Sequence, residues 1–492
     1  MVRIGVVLAV LTSVAGSFAD YRSNVIPEVP REFRALWIAT VDNIDWPSEP
    51  GLSSAAQQEE LRSMFDMAVE LGCNAIVFQV RPIGDALYAS ELEPWSSYLS
   101  GTQGVAPEPL YDPLAMAVEE AHRRGMELHA WLNPYRAGHP SNDTVADTHV
   151  RQTKPWVHKY GPYHWMDPGH PEALAHTMAV VCDIVERYDI DGIHFDDYFY
   201  PYPVNKAEGD GKVPFPDADS YQMYRYGGGE LEVADWRRDN INRMVAAVYT
   251  ETKARKPHVK VGFSPFGIWR PGHPKQIKGF DAYAGLYADA RLWLHEGWLD
   301  YIVPQLYWAI DPPAQSYPVL LKWWVKENRK QRHIWIGNGA HRALSNSRGW
   351  TEQELARQVQ ITREETGASG NVFFSAKWFR KPEVADPIRA LYAEPALVPA
   401  SPWLDEARPP APICFVTETA EGPQLQIVNQ ADEAITHWAI QTRSADGWSL
   451  QIVTGPTEQL AIDAACEIVV VRSVDRVGNL SPTTCVMRAP RR

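Results

Sequence analysis

Asp191-Gly192-Ile193-His194-Phe195-Asp196-Asp197-Tyr198-Phe199-Tyr200-Pro201 reads as a short apolar strand that ends in two carboxylates and a run of aromatics. Successive side chains of a strand point to opposite faces. Ile193 and Phe195 then form the apolar set turned toward a covering layer, and Gly192, His194 and Asp196 face the other way. An inward carboxylate at the end of an apolar strand is costly in a core and useful at the mouth of a barrel. Asp197 can join it only if the strand stops and the chain turns.

Seven further runs of the same kind flank this one, at 33–39, 74–80, 126–132, 259–264, 301–305, 333–339 and 371–376. Each is followed by a helical pattern, at 54–71, 112–125, 171–188, 232–256, 283–297, 315–330, 351–366 and 383–392. Eight strands alternating with eight helices predict an α/β fold with a parallel sheet, and eight is the number that closes a (β/α)8 TIM barrel. The barrel is expected over 31–394. A doubly wound sheet would want a glycine-rich phosphate turn after an early strand, and Gly227-Gly228-Gly229 has no strand leading into it. The long second, third and fourth βα loops should wall the cleft.

The same alternation assigns inward residues on the other strands: Gln79 and Arg81 on the second, His129, Trp131 and Asn133 on the third, Gln305 and Tyr307 on the sixth, Ser375 and Lys377 on the eighth. His129 and His194 are expected at equivalent levels on neighbouring strands. Asp196 is the candidate nucleophile or charge stabiliser, and the acid is Asp197 or Asp85. A capping or ion-pairing role competes for Asp197, and a loop Asp satisfying backbone N–H groups competes for Asp85. Arg81 is placed to orient a carboxylate, and Glu93 reads as an exposed loop residue. Tyr135, Tyr198, Tyr307, Trp308, Trp46, Trp95 and Trp378 follow strand ends. Together with 19 tryptophans in the chain they favour a surface for sugar rings, whose C–H faces stack on aromatics.

The rest of the 492 residues bounds the class. The hydrophobic share of 45% and charged share of 22% are those of a globular chain, and the net charge of −14 argues against a nucleic-acid binder. Residues 1–19 read as a secretory signal, with Arg3, an apolar stretch and Ser17-Phe18-Ala19 before the cut. An exported, periplasmic or extracellular location without a stable membrane anchor follows. Cys73 and Cys182 sit in apolar contexts that favour free thiols, and one bridge among Cys414, Cys466 and Cys485 is open. No cysteine spacing suits a zinc site, and no cofactor is expected. A Pro-rich linker spans 395–412. Residues 413–492 then alternate as strands of a small β-sandwich, and Val470–Pro482 resembles the last strands of fibronectin type III domains.

Arg34-Ala35-Leu36-Trp37, Asn43-Ile44-Asp45-Trp46-Pro47, Gln79-Val80-Arg81-Pro82, Gly84-Asp85-Ala86-Leu87-Tyr88, Ala130-Trp131-Leu132-Asn133-Pro134-Tyr135 and Asp167-Pro168-Gly169, with the 191–203 stretch, resemble the glycosyl-hydrolase-like family ten barrel, also called domain of unknown function 187. The resemblance implies a glycosidase acting on the glycan strands of peptidoglycan, stripped of stem peptides, with a cell-wall or divisome association. The end of the fourth strand also resembles that of α-amylase-type barrels, where an Asp is the nucleophile. The fifth-strand acid of those enzymes is replaced by Ser264. Two rivals stand beside this reading: a non-catalytic glycan-binding protein, and a metal-dependent hydrolase or deacetylase using His129, His194 and Asp196. The hydrolase reading requires the acidic pair to open onto solvent in a groove.

Overall fold

The chain alternates strand and helix as its sequence pattern demands, and the ring of strands closes. A computed structural model describes residues 26–142, 144–207, 209–344, 350–351, 353–431 and 435–487. The signal sequence expected at 1–19 lies outside the described residues. Eight parallel strands form the barrel: β1 Phe33–Ile38, β2 Ala75–Arg81, β3 Glu127–Leu132, β4 Gly192–Phe195, β5 Lys260–Phe263, β6 Tyr301–Ile302, β7 over 333–339 and β8 Gly370–Phe374. The last closure runs through β7. Its first half, His333–Ile334, pairs with β6, and its second, Ile336–Gly339, pairs with β8, with Trp335 between them. β8 in turn pairs with β1. Eight helices pack outside: α1 Ser54–Glu70, α2 Pro113–Arg123, α3 Pro171–Arg187, α4 Val233–Arg255, α5 Ala290–Glu296, α6 Tyr317–Glu327, α7 Glu354–Glu364 and α8 Pro382–Leu391.

Period-two alternation divides the core as expected. Leu36, Ile76, Phe78, Leu128, Ile193 and Phe195 belong to the large cluster between strands and helices. Phe33, Trp37, Val77, Trp131, Tyr301 and Trp335 form a separate cluster inside the ring. Burying Ile193 and Phe195 fully stabilises β4 by about 1.5–3 kcal/mol each. The bulky interior residues need small partners. A Cβ on Gly192 would stand 2.2 Å from the His129 ring, and one on Gly262 would stand 1.9 Å from the Tyr301 ring. Glycine at these two strand positions leaves room for the rings beside it.

The base of the barrel is pinned by one device used three times. The side chain of a polar residue just before a strand accepts the N–H of the second residue of the preceding strand: Asn74 from Arg34, Asp191 from Leu128 and Asp300 from Val261, at 3.0, 2.9 and 2.8 Å. The Pro-rich stretch 395–412 lies along this base. Leu397 exchanges backbone hydrogen bonds with Pro30 and Glu32, and the Trp403 indole donates to Asp300 at 2.8 Å.

The C-terminal unit is two antiparallel sheets. Strands β9 Ile413–Thr419, β10 Gly422–Val428 and β13 Gln459–Ala461 make one, in the order β9-β10-β13. Strands β11 His437–Ser444, β12 Gly447–Thr454, β14 Ile468–Val474 and β15 Thr484–Met487 make the other, in the order β12-β11-β14-β15. Leu425, Ile427, Trp438, Ile440, Val469 and Val471 fill the space between them. None of the five cysteines is disulfide-bonded, so the bridge left open among Cys414, Cys466 and Cys485 is not formed; Cys182 is half-buried rather than sealed. No helix among the described residues is long and apolar enough to cross a membrane.

The sandwich docks on the base, at the opposite end from the strand tips. Arg476 pairs with Asp189 at 2.5 Å and with Asp191 at 3.4 Å. Burial opposes the charge on Asp191, but His122 and Arg476 overcome it and hold its carboxyl well below the usual range. Val29, Leu397, Ala439 and Val474 close an apolar seam beside this cluster. Arg476→Ala leaves buried Asp191 with His122 as its remaining cationic partner, and the loss of charged hydrogen bonds should cost about 1.5–3 kcal/mol. The expected signs are a lower melting temperature and faster proteolytic cleavage within 395–412. Unchanged melting and cleavage would show that the clamp contributes nothing.

Candidate active site

β4 stops at Phe195, and the turn that follows brings both carboxylates to the mouth. The Tyr198 N–H donates to Asp196 Oδ1 at 3.4 Å and the Phe199 N–H to the Asp197 carbonyl at 3.2 Å, which closes the turn. Asp197 therefore reaches the same space as Asp196 without occupying an inward strand position. Each keeps only 4% of its surface open. The pair is thus nearly sealed, where the sequence reading required a groove open to solvent. Two cavities, of about 300 and 690 Å³, lie at the barrel base and neither includes the pair.

The Asn133 amide donates to both oxygens of Asp196, at 2.8 and 2.7 Å. Asn133 Oδ1 accepts from Gln79 Nε2 and from Arg136 Nη2, both at 2.7 Å. The Arg136 guanidinium also covers the Tyr198 ring at 4.9 Å. The Tyr202 hydroxyl donates to Asp197 Oδ2, and Gln305 is a further donor to that carboxyl. Burial, then the charge of Asp197, push the Asp196 carboxyl up to about 7, against Arg136 and Asn133. Burial likewise pushes Asp197 up to about 6, against Tyr202 and Gln305. Two such close groups titrate as a pair. Near neutral pH the pair holds about one proton, so one member can donate while the other is an anion.

Tyr198, Gln305, Tyr307 and Trp308 are half-buried around the mouth, and Lys377 is exposed. Tyr307 stacks on Phe374 at 6.1 Å and meets His341 edge-on at 5.5 Å. Trp308 packs edge-on against Phe266 at 5.4 Å. The backbone N–H of Lys377 donates to Asp45, which also accepts from Ser375 and Ala39, tying the tip of β8 to that of β1. Trp131 is 5% exposed among the interior rings, and its indole N–H has no partner among the described residues.

Other expected site residues stand elsewhere. Asp85 is wholly buried, accepting from Gln103 at 2.9 Å and from the Ile83 N–H at 3.3 Å, and burial raises its pKa to about 7. It serves its own loop. Arg81 is also sealed: it grips Glu93 through Nε at 2.7 Å and Nη2 at 2.5 Å, and donates to the carbonyls of Asn133 and Pro134. Its carboxylate partner is thus Glu93, a buried residue rather than the exposed one expected. Gln79 is buried and bonded to Asn133, so it supports the site from behind. Tyr135 packs between barrel and helices, as does Trp46, and neither offers a face to a sugar.

His129 and His194 lie inside the ring, one inward step apart. The register pairs His129 with Gly192 and Trp131 with His194, so the two imidazoles are not level. His129 lies 2.8 Å from the Tyr301 hydroxyl and 3.0 Å from Glu127, which Lys260 neutralises at 2.7 Å. His194 accepts from the Trp37 indole at 3.3 Å and lies 3.0 Å from Ser264 Oγ. Burial, then His129, hold it well below its usual pKa and therefore neutral. Neither ring is turned toward Asp196, so the ligand set of the metal-dependent alternative is not assembled. Among the described residues no group of three or more His, Cys, Asp or Glu is placed to hold a metal ion.

Arg136 and Tyr202 are the site residues that strand alternation missed. Both lie beyond a strand end, where periodicity no longer assigns a direction. The available signals were a lone charge three residues after Asn133 and the alternate tyrosines 198, 200 and 202.

A family model described as glycosyl hydrolase-like 10 matches residues 32–351. The chain is 40% identical over 429 residues to glycosyl hydrolase YngK of Bacillus subtilis (strain 168), covering 83% of this chain and 82% of that one. It is 34% identical over 389 residues to glycosyl hydrolase DigH of Escherichia coli (strain K12), covering 73% and 86%. Among solved structures, the catalytic domain of β-amylase from Paenibacillus polymyxa aligns with a TM-score of 0.48 at 12% identity, over 74% of this chain and 98% of that one.

Proposed function

The chain belongs to the glycosyl hydrolase-like 10 family, and from that premise we propose that it is an exported glycoside hydrolase that cuts peptidoglycan glycan strands lacking stem peptides. The observation that carries the reading is the pair itself: two adjacent carboxyls at the barrel mouth, both raised by burial, with separate hydrogen-bond partners. In this mechanism Asp197 protonates the glycosidic oxygen as the bond to the anomeric carbon breaks. Asp196, as an anion, stabilises or attacks the oxocarbenium-like centre, and water completes the hydrolysis. Half-buried Tyr198, Tyr307 and Trp308 supply faces for neighbouring sugar rings. The anomeric configuration of the first product tells attack from stabilisation.

The sheet orders β9-β10-β13 and β12-β11-β14-β15 support a fibronectin type III reading of the C-terminal unit. Its place on the base makes it a spacer or wall-facing support, away from the chemistry.

Purified protein incubated with denuded sacculi should release soluble sugar fragments, resolved by mass spectrometry, and should leave peptide-bearing sacculi largely intact. Binding without release would favour the glycan-binding alternative, with which the near-complete burial of the pair agrees. Release from peptide-bearing sacculi alone would reject the substrate named here.

A further inference from the structure

Burial raises both carboxyls, Asp196 to about 7 and Asp197 to about 6, an order that would keep the proton on Asp196; the polarity of their hydrogen-bond partners points the other way. We propose that a one-way chain of amide hydrogen bonds across four neighbouring strands makes Asp196 the anion and leaves the proton to Asp197, with Gln79 and Arg136 as the positioning residues that set its direction. This inference rests on the reading of the pair as the hydrolytic carboxylates.

The chain starts on backbone, where polarity is not negotiable. At the end of β1, the N–H groups of Thr40 and Val41 both donate to Gln79 Oε1, each at 2.9 Å. The amide oxygen of Gln79 must lie there, so its NH2 faces the other way and donates to Asn133 Oδ1 at 2.7 Å. Arg136, which can only donate, meets the same oxygen at 2.7 Å. Two donors hold the Asn133 oxygen, and its NH2 is left facing both oxygens of Asp196. Turning the Asn133 amide over would set an oxygen against a carboxylate and N–H groups against two donors. Thr40, Gln79 and Asn133 are fully buried, and Arg136 and Asp196 nearly so, so water does not offer the chain an easy alternative.

Asp197 has, besides the Gln305 amide, one partner of a different kind. The Tyr202 hydroxyl donates to it, and a hydroxyl can rotate and accept when its neighbour takes up a proton. An amide NH2 cannot. The proton is therefore tolerated at Asp197 and resisted at Asp196.

Gln79→Glu and Gln79→Met separate this from a packing role. Glu keeps the acceptor for Thr40 and Val41 but cannot donate to Asn133 when ionised. Met loses the backbone bonds but leaves Arg136 on Asn133. The acid limb of the pH–rate profile should move up by about one unit in Gln79→Glu, whose buried charge should also lower the melting temperature. Gln79→Met should melt lower and keep its acid limb. Activity that simply follows melting temperature in the two variants would overturn the proposal. A readout independent of turnover uses protein labelled with 15N-asparagine, with the Asn133 side-chain signals identified by their loss in Asn133→Ser. Those signals should follow the titration of the pair in the parent and cease to follow it in Gln79→Glu; absence of any titration in the parent also overturns the proposal. Full activity in Asp196→Asn would instead overturn the hydrolytic reading, so the two failures are distinguishable.

Discussion

Asp196→Asn is expected to lower glycan hydrolysis by at least about a thousandfold, since removal of a reacting group costs that or more where roles are not shared. The variant should fold as well as the parent. Asn at 196 keeps the shape and offers Asn133 an acceptor at its own amide oxygen, while the repulsion with Asp197 disappears. In the parent, burial and that repulsion raise the pair, to about 7 for Asp196 and about 6 for Asp197. A carboxyl raised in the folded state holds its proton more tightly than it does in the unfolded chain. Its contribution to stability is thus full in acid, below the unfolded value, and is lost as pH rises through about 6 to 7. Asp196→Asn should therefore gain in melting temperature relative to the parent between pH 5 and pH 8, while losing activity throughout.

The same pair sets the pH dependence of the parent. Below about 6 both carboxyls are protonated and the anion is missing; above about 7 both are ionised and the acid is missing. A bell with its summit between these values is the expected profile. A rate that keeps climbing to pH 9, or a fully active Asp196→Asn, would remove the two-carboxylate mechanism.

Arg81→Met is expected to be the most destabilising of the single changes considered, by about 3–5 kcal/mol, because it leaves a buried carboxylate without its cation. Both partners have no exposed side-chain surface. Burial alone would raise Glu93, but Arg81 and the His176 hydrogen bond outweigh it and hold its carboxyl down at about 2. A depressed carboxyl contributes stability above its unfolded value, near 4.5, and loses it as pH falls toward about 2. That difference corresponds to about 3 kcal/mol at neutral pH. Thermal melts of parent and variant should differ most at pH 7 and converge toward pH 3. Arg81 also donates to the carbonyls of Asn133 and Pro134, so a surviving folded fraction should turn over more slowly. Equal melting at pH 7 would show that the pair is dispensable.

The alternation of strand and helix was legible because each barrel unit is local: an apolar strand, its loop and an amphipathic helix are contiguous in the chain. The face of each residue was legible too, since period two is a property of the strand alone. Ile193 and Phe195 point to the helices and His194 to the axis, as that period requires.

Height along the axis was not legible. His129 and His194 share a face, but the stagger between neighbouring strands places His129 opposite Gly192 and a step deeper than His194. Inward therefore meant interior for these two and mouth for Asn133 and Asp196. Loop residues escaped for a different reason. Asp85 and Glu93 lie in one loop, and only the packed structure shows one held by Gln103 and the other by Arg81 and His176. The sequence by itself determined the barrel, the faces of its strands and the carboxylate at the tip of the fourth. The tertiary structure decided which polar groups meet it, because bonds such as those from Asn133 to Asp196, 63 residues apart, depend on strand stagger and loop closure that no local pattern encodes.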